Sequence, residues 1–307
     1  MIEQRRAMTT AVSGLSELTE LVGHALGRAV RLTPHLTAIP YGGLLLQVRD
    51  RVPAGAAPAG SPVALARWGV DDATSASILA EASVLAALSS RADRLVVPEV
   101  AALTTWHGRP LLVQEWRTAA GPVRAPGARE RRAAERSIVA LASPAELGRS
   151  YADGLRGELR ELEHTGFADQ LLATLDRLAE RYDLDALPRG GCHGAWSSRT
   201  LAAGPGGSVL AWGWDRYRAN RPVGFDALHH RLIELRGDSR SPDAGTALVA
   251  EAPRLLGRWH GRVVPEASCV ARLLLLELAA RELREVGPRG APVSWLADWM
   301  APTVFSA

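Results

Sequence analysis

Apolar residues at helical spacing open the chain: Val12, Leu15, Leu18, Leu21, Val22, Ala25 and Leu26 predict a helix over residues 10–30. The period then changes. Residues 37–51, with Gly42-Gly43 before Leu44-Leu45-Leu46-Gln47-Val48, predict strand, turn and strand. Residues 52–62 are rich in Pro, Ala and Gly and predict a loose connection. Pro62-Val63-Ala64-Leu65-Ala66-Arg67-Trp68-Gly69 predicts a buried strand carrying one charge. Residues 73–89 return to the helical period, with Ile78, Leu79, Ala82, Leu85 and Leu88 on one face. Residues 96–100 and 109–116 predict two strands around the turn Trp106-His107-Gly108. Beyond a Gly-, Pro- and Ala-rich linker at 118–127, helical periods dominate, over 128–141, 145–163, 166–182, 223–236, 244–257 and 266–285. A short closing helix is expected at 293–300. This divides the chain into residues 1–117, a leading helix with an antiparallel sheet and one packed helix, and residues 118–307, mostly helical.

Composition narrows the function. The 307 residues suffice for two lobes with substantial cores. The longest apolar run, Leu273-Leu274-Leu275-Leu276, is closed off by Arg272 and Glu277, so no membrane span is expected. No apolar secretion core follows the first residues, and two cysteines, Cys192 and Cys269, exclude a disulfide framework. A reducing cytoplasm is the expected compartment. The formal charge of +3 is too small to argue for nucleic acid. Its quality is more telling: all 36 basic residues are arginine, and Asn220 is the one asparagine. The charged segment with Arg129, Glu130, Arg131, Arg132, Glu135 and Arg136 is expected to be a solvated helix face with local ion pairs, or else a basic patch for an acidic partner.

The candidate chemistry lies between Gly190 and His230. Gly-Gly-Cys192-His193-Gly194-Ala195-Trp196 is followed by Thr200, then by Trp212-Gly213-Trp214-Asp215-Arg216-Tyr217, then by Phe225-Asp226-Ala227-Leu228. This stretch resembles the catalytic core of the aminoglycoside phosphotransferases, small-molecule kinases with a protein-kinase-like fold. That family carries His-Gly-Asp, an Asn a few residues on, an Asp-Trp-Glu motif, and a Pro…Asp-Leu segment opening a helix. Here His193 and Gly194 match, while Ala195 stands at the Asp, Thr200 at the Asn and Gly213 at the leading Asp of the second motif. Asp215 falls at that motif's Glu, and Asp226 at the helix-opening Asp. The resemblance implies an α+β, two-lobe fold, with a five-stranded antiparallel N-lobe sheet and a helical C-lobe.

It also assigns roles. Arg67 stands where the family's strand carries a phosphate-binding Lys, and Glu81 where a Glu pairs with it. Such a pair can serve a nucleotide or only tie strand to helix. The family's loop His and helix-opening Asp brace the catalytic loop, which gives His193 and Asp226 structural roles. Phosphoryl transfer depends on positioning, on magnesium across the phosphates and on a carboxylate that accepts the proton of the attacking hydroxyl. Ala195 accepts no proton and Gly213 ligates nothing. Thr200 offers a neutral hydroxyl, a poor magnesium ligand beside a carboxylate. Losing the base alone costs roughly 10²–10⁴-fold in rate.

Two readings follow. In the first the chain is an inactive phosphotransferase homologue that binds an unknown protein partner or small ligand in the cleft between its lobes, without cofactor, nucleic acid or membrane. In the second it is an active small-molecule phosphotransferase using ATP and magnesium, with Asp215 and Thr200 as unusual metal ligands. The neighbours Cys192 and His193 are not placed like a thiol–imidazole pair, and His229-His230 cannot share one zinc from adjacent helical positions.

Overall fold

Ala64, Ala66 and Trp68 face one side of a strand and Leu65 and Arg67 the other, and all five are buried. A strand covered on both faces belongs at the centre of a sheet. The structure, a computed structural model, describes residues 14–34, 44–51, 63–88, 94–115, 124–162, 166–237, 243–261 and 264–286. They form two compact units: the chain up to Glu130 together with Thr200–Arg216, and Arg131–Arg199 together with the chain from Tyr217 on. The expected boundary between residues 117 and 118 lies outside the described residues.

The first unit opens with helix α1 (Leu15–Leu26), closed by Gly27 in the left-handed conformation (φ 64°). β1 (Val30–Pro34), β2 (Leu44–Asp50), β3 (Ala64–Trp68), β5 (Val100–Trp106) and β6 (Arg109–Glu115) form an antiparallel sheet in the order β1-β2-β3-β6-β5. Leu18 and Val22 of α1 join Val30, Leu32, Leu46, Val48, Trp68, Trp106 and Leu111 in one core. α2 (Asp72–Leu88) packs on β3, β5 and β6, and Asp71 fixes its start by accepting from the Thr74 N–H at 2.8 Å. A small second sheet joins β4 (Leu95–Val96), parallel, to β9 (Val209–Ala211), which pairs antiparallel with β8 (Leu201–Ala203).

The second unit holds α3 from Arg131 on (the helix spans Ala128–Val139), α4 (Pro144–Leu147), α5 (Tyr151–Arg160), α6 (Gly166–Arg181), α7 (Phe225–Gly237), α8 (Ala244–His260) and α9 (Ala267–Val286). A two-stranded ribbon of β7 (Arg189–Cys192) and β10 (Arg218–Pro222) accompanies them. α9 touches α5, α6, α7 and α8, so its leucine run lies in the core rather than in lipid. Among the described residues no helix is long and apolar enough to cross a membrane.

Three expectations are corrected. The leading helix stops at Leu26, and the first hairpin strand is Val30–Pro34 rather than a segment from residue 37, because the glycine cap ends the helix early and Val30 and Leu32 alternate into the core. Residues 96–100 are not one strand. Leu95–Val96 pairs with β9, and β5 begins after Pro98, which cannot donate to a ladder. Residues 145–163 split into α4, with a Ser143–Glu146 capping box, and α5, capped by Ser150. The Trp106-His107-Gly108 turn has φ of 47° at His107 and 71° at Gly108, the left-handed pair of a tight hairpin. Gly42-Gly43, the 52–62 connection and the closing helix lie outside the described residues.

β7 runs so close to α3 that it tolerates only glycine at its middle. A Cβ at Gly191 would lie 2.2 Å from the Ile138 carbonyl oxygen, and one at Gly190 2.7 Å from that of Val139. Gly191→Ala should therefore lower stability by about 1–3 kcal/mol through overpacking. Gly154→Ala, inside α5 with open space around the new methyl, should raise it by roughly 0.5–1 kcal/mol. Urea unfolding of both variants checks this; equal midpoints would contradict the close approach.

Candidate functional site

In the first unit, Arg67 on β3 and Glu81 on α2 meet. They form a buried ion pair through Arg67 Nη1 and Glu81 Oε2. The other carboxylate oxygen, Oε1, accepts from the backbone N–H groups of Gly213 at 3.1 Å and Trp214 at 3.0 Å. One carboxylate thus binds the strand, the helix and the loop after β9. Trp214 is fully buried, and its indole donates to the Ala211 carbonyl at 2.9 Å. Gly213 sits at φ 79°, where an ordinary side chain is strained. Thr200 stands beside it. Its carbonyl accepts from the Trp212 N–H at 3.2 Å, and its methyl lies 3.8 Å from where a Cβ at position 213 would be.

Asp215 follows in a single turn of 3-10 helix, Trp214–Arg216. Its Oδ2 accepts from the Ser77 hydroxyl at 2.9 Å, a contact that no sequence pattern pointed to. Arg67 lies 4.0 Å from Oδ1 and Arg216 3.9 Å from Oδ2. Burial lowers the pKa of the Arg67 guanidinium, and Asp215 offsets part of that. Magnesium takes oxygen ligands, carboxylates above all. Gly213 supplies none and Thr200 a neutral hydroxyl. The carboxylate of Asp215 already has a hydroxyl donor and two guanidinium groups around it, which repel a further cation. This donor set does not fit a magnesium ion. Among the described residues no cluster of three or more His, Cys, Asp or Glu side chains is placed to hold a metal.

In the second unit, the loop after β7 hangs from Asp226 at the start of α7. Asp226 Oδ2 accepts from the His193 N–H at 2.8 Å, and Oδ1 from the Gly194 N–H at 3.1 Å and the Cys192 thiol at 3.3 Å. Burial pushes the Asp226 carboxyl up to about 6, against the pull of these donors. His193 is buried, and its Nδ1 accepts from the Ala195 N–H at 3.2 Å. Its ring meets that of Trp196 edge to face at 5.5 Å. Burial raises the Cys192 thiol well above its ordinary value, the reverse of an activated nucleophile. His229 Nδ1 bonds the Trp196 carbonyl oxygen at 2.9 Å, and His230 pairs with Glu234 at 3.3 Å, so the two histidines serve different contacts.

The architecture decides the comparison. A fructosamine-3-kinase homologue from Haemophilus somnus 129PT superposes with a TM-score of 0.58 at 9% identity, over 94% of this chain and 95% of that one. APH(2")-IIa in its gentamicin complex gives 0.56 at 9% identity, over 94% and 97%. The AMP-bound spectinomycin phosphotransferase APH(9)-Ia gives 0.51 at 12% identity, over 95% and 93%. The fold is that of the aminoglycoside phosphotransferases. No family model matches the sequence, and no curated protein sequence does.

The phosphotransferase fold places Arg67, Glu81, Thr200, Gly213 and Asp215 in the first unit, and His193, Ala195 and Asp226 in the second. Glu135 corrects the sequence reading. It is not on a solvated face but 5% exposed, and it accepts from the indole N–H groups of Trp196 at 2.9 Å and Trp259 at 2.5 Å. Its i, i+3 spacing to buried Ile138 was the available signal.

Removing Glu81 leaves two backbone donors unpaired and a buried guanidinium with Ser77 at 3.4 Å and Asp215 at 4.0 Å in place of its close partner, so Glu81→Ala should cost roughly 3–5 kcal/mol. Asp226→Ala should cost about 1–3 kcal/mol for each orphaned N–H, and His193→Ala a similar amount for the one at Ala195. Asp215→Ala, at a partly exposed pair, should cost under about 1 kcal/mol. Denaturant melts rank the four; a loss at Asp215 as large as that at Glu81 would overturn this account.

Proposed function

We propose that this chain is a catalytically inactive phosphotransferase homologue that works by binding a protein partner or a small ligand. The observation that carries this reading is the environment of Asp215. The acid that could replace the missing metal ligands instead accepts a hydrogen bond from Ser77, between Arg67 and Arg216. Ala195 offers no carboxylate to take a proton from a hydroxyl substrate. Arg67 commits a guanidinium nitrogen to Glu81, where a forked, permanently charged group replaces a point-charge ammonium. The solved proteins that share the fold are kinases and phosphotransferases, so the framework is one on which phosphoryl transfer is performed. Function on a shared fold rests on the site, and this one lacks the chemistry's residues. The rival reading, an active enzyme using Asp215 and Thr200, draws on the closeness of Thr200 to position 213.

One experiment separates them. The parent protein should show no magnesium-dependent thermal shift with ATP. The triple variant Ala195→Asp, Thr200→Asn, Gly213→Asp should gain one, and single variants should gain little, because such residues act as a unit. Aspartate tolerates the left-handed backbone at 213 better than most residues, so the strain there is about 1–2 kcal/mol at most. At a hundredfold excess of ligand over Kd, binding adds about 2.7 kcal/mol, which exceeds that strain. A parent that already binds magnesium-ATP as tightly as the triple variant would establish the rival reading and make Asp215→Asn the next variant.

A further inference from the structure

The five-stranded sheet ends in β1 on one side and β5 on the other, and the two edges are finished differently. β1 carries the exposed Arg31 and ends on Pro34, a charge and a missing N–H of the kind that blocks further pairing. β5, Val100-Ala101-Ala102-Leu103-Thr104-Thr105-Trp106, has neither. Its one irregularity is the register shift between Val100 and Ala102, which leaves residues 102–106 as a regular run. The turn at His107-Gly108 fixes where that run points its backbone. Trp106 and Arg109 close a two-residue turn and exchange hydrogen bonds, and the pattern alternates from there. Thr104 therefore bonds to β6, while the N–H and C=O groups of Leu103 and Thr105 point away from it. Pro110 lies opposite Thr105, the position where β6 has no N–H to give. Among the described residues nothing bonds the outward backbone groups of Leu103 and Thr105.

Residues opposite each other in a ladder share a face. Leu103 lies opposite Leu112, and Leu112 opposite Arg67, so Leu103 is on the face that α2 covers. Two large hydrophobic side chains stand exposed among the described residues: Leu103, at 47%, and Leu79 of α2, at 51%. α2 touches β5, so the two leucines belong to neighbouring elements. An uncharged edge strand with free backbone groups and an exposed leucine at its middle is a template for another strand.

We propose that β5 pairs antiparallel with β5 of a second copy of this chain, joining two five-stranded sheets into one about a two-fold axis at Thr104. In that register Leu103 of each copy lies opposite Thr105 of the other. The outward N–H and C=O groups of both residues then meet their counterparts, and Thr104 faces its own copy across the axis. The partner is a like strand for two reasons. Residues 100–106 carry no charge to repel their own copy. Glu99 precedes the strand while His107 and Arg109 follow it, so an antiparallel copy sets acid toward base at both ends, and a parallel one sets like toward like. His107 has Glu17 at 3.8 Å and Arg109 has Asp72 at 3.1 Å, exposed pairs that contribute little of their own. Because β1 is guarded, each copy offers one edge, and the pairing closes as a dimer instead of extending into a fibre. The dimer depends on the sheet edge alone, whether or not the chain transfers phosphate.

Sedimentation velocity of the full chain tests the pairing. At about 10 µM, where a dimer of micromolar Kd is mostly formed, the parent should sediment with twice the mass of one chain. Leu103→Lys introduces the charge that natural edges carry and should weaken association by at least about tenfold. Its circular dichroism should match the parent's, because the position is exposed. A second variant reads the register by a gain instead of a loss. Thr104→Cys places two Cα atoms about 4.5 Å apart across the axis, within disulfide reach, and should give a covalent dimer under mild oxidation. Leu103→Cys, whose two copies sit diagonally at about 7–8 Å, should crosslink far less. A parent that stays monomeric at about 100 µM, including one that binds only a foreign strand at this edge, would overturn the proposal. So would a dimer that Leu103→Lys leaves intact, or a Leu103→Cys chain that crosslinks as readily as Thr104→Cys.

Discussion

A buried carboxylate must find donors or take up a proton, and the interior of each unit is arranged around that constraint. In the first unit Glu81, with no exposed surface, meets it with Arg67 and the backbone of Gly213 and Trp214. In the second, Asp226 meets it with the backbone of His193 and Gly194 and the thiol of Cys192. Each acid sits at or within a helix and reaches an irregular loop. Loops rarely enter a protein interior, because their N–H and C=O groups lose water there. Here a carboxylate replaces the water for two consecutive N–H groups in each loop, and a fully buried tryptophan, Trp214 or Trp196, closes over the result.

This arrangement makes the hold on the two loops independent of the side chains at positions 195 and 213. The bonds that Asp226 and Glu81 make to the two loops go to backbone N–H groups and the Cys192 thiol, not to the side chain of residue 195, 200 or 213. At position 213 the loop needs a left-handed backbone, for which glycine carries no steric penalty. At 195 the bond that matters is the backbone N–H to His193, which any non-proline residue supplies. The bracing at both positions is thus a matter of backbone atoms.

The same separation governs what could be read in the sequence. β3, α2 and the loop motifs were legible because burial leaves a period, and because His193-Gly194, Trp214-Asp215 and Phe225-Asp226 occur in order. The Arg67–Glu81 pair followed from the resemblance, which sets the two residues where the family has its Lys and Glu. Glu135 escaped because five charged residues surround it in sequence and only its spacing to Ile138 betrays the inward face. Its partners Trp196 and Trp259 are 61 and 124 residues away, a distance that no local pattern spans. The Ser77 contact of Asp215 crosses 138 residues. The split of residues 145–163 was local and could have been seen, since Ser143…Glu146 and Ser150…Asp153 are both helix-start signatures.

The absence of lysine bears on the site more than on the surface. A strand-borne ammonium has three rotatable donors and can turn from a glutamate toward a ligand. A guanidinium is planar and always charged, and its fork fixes which neighbours it can serve together. Arg67 uses Nη1 for Glu81 and has Ser77 3.4 Å from Nη2, while Ser77 in turn donates to Asp215. The arginine, the serine and the two acids are therefore one connected set, and the charges of Arg67 and Arg216 balance those of Glu81 and Asp215. Arg67 thus ties β3, α2 and the turn after β9 to one another through Glu81, Ser77 and Asp215.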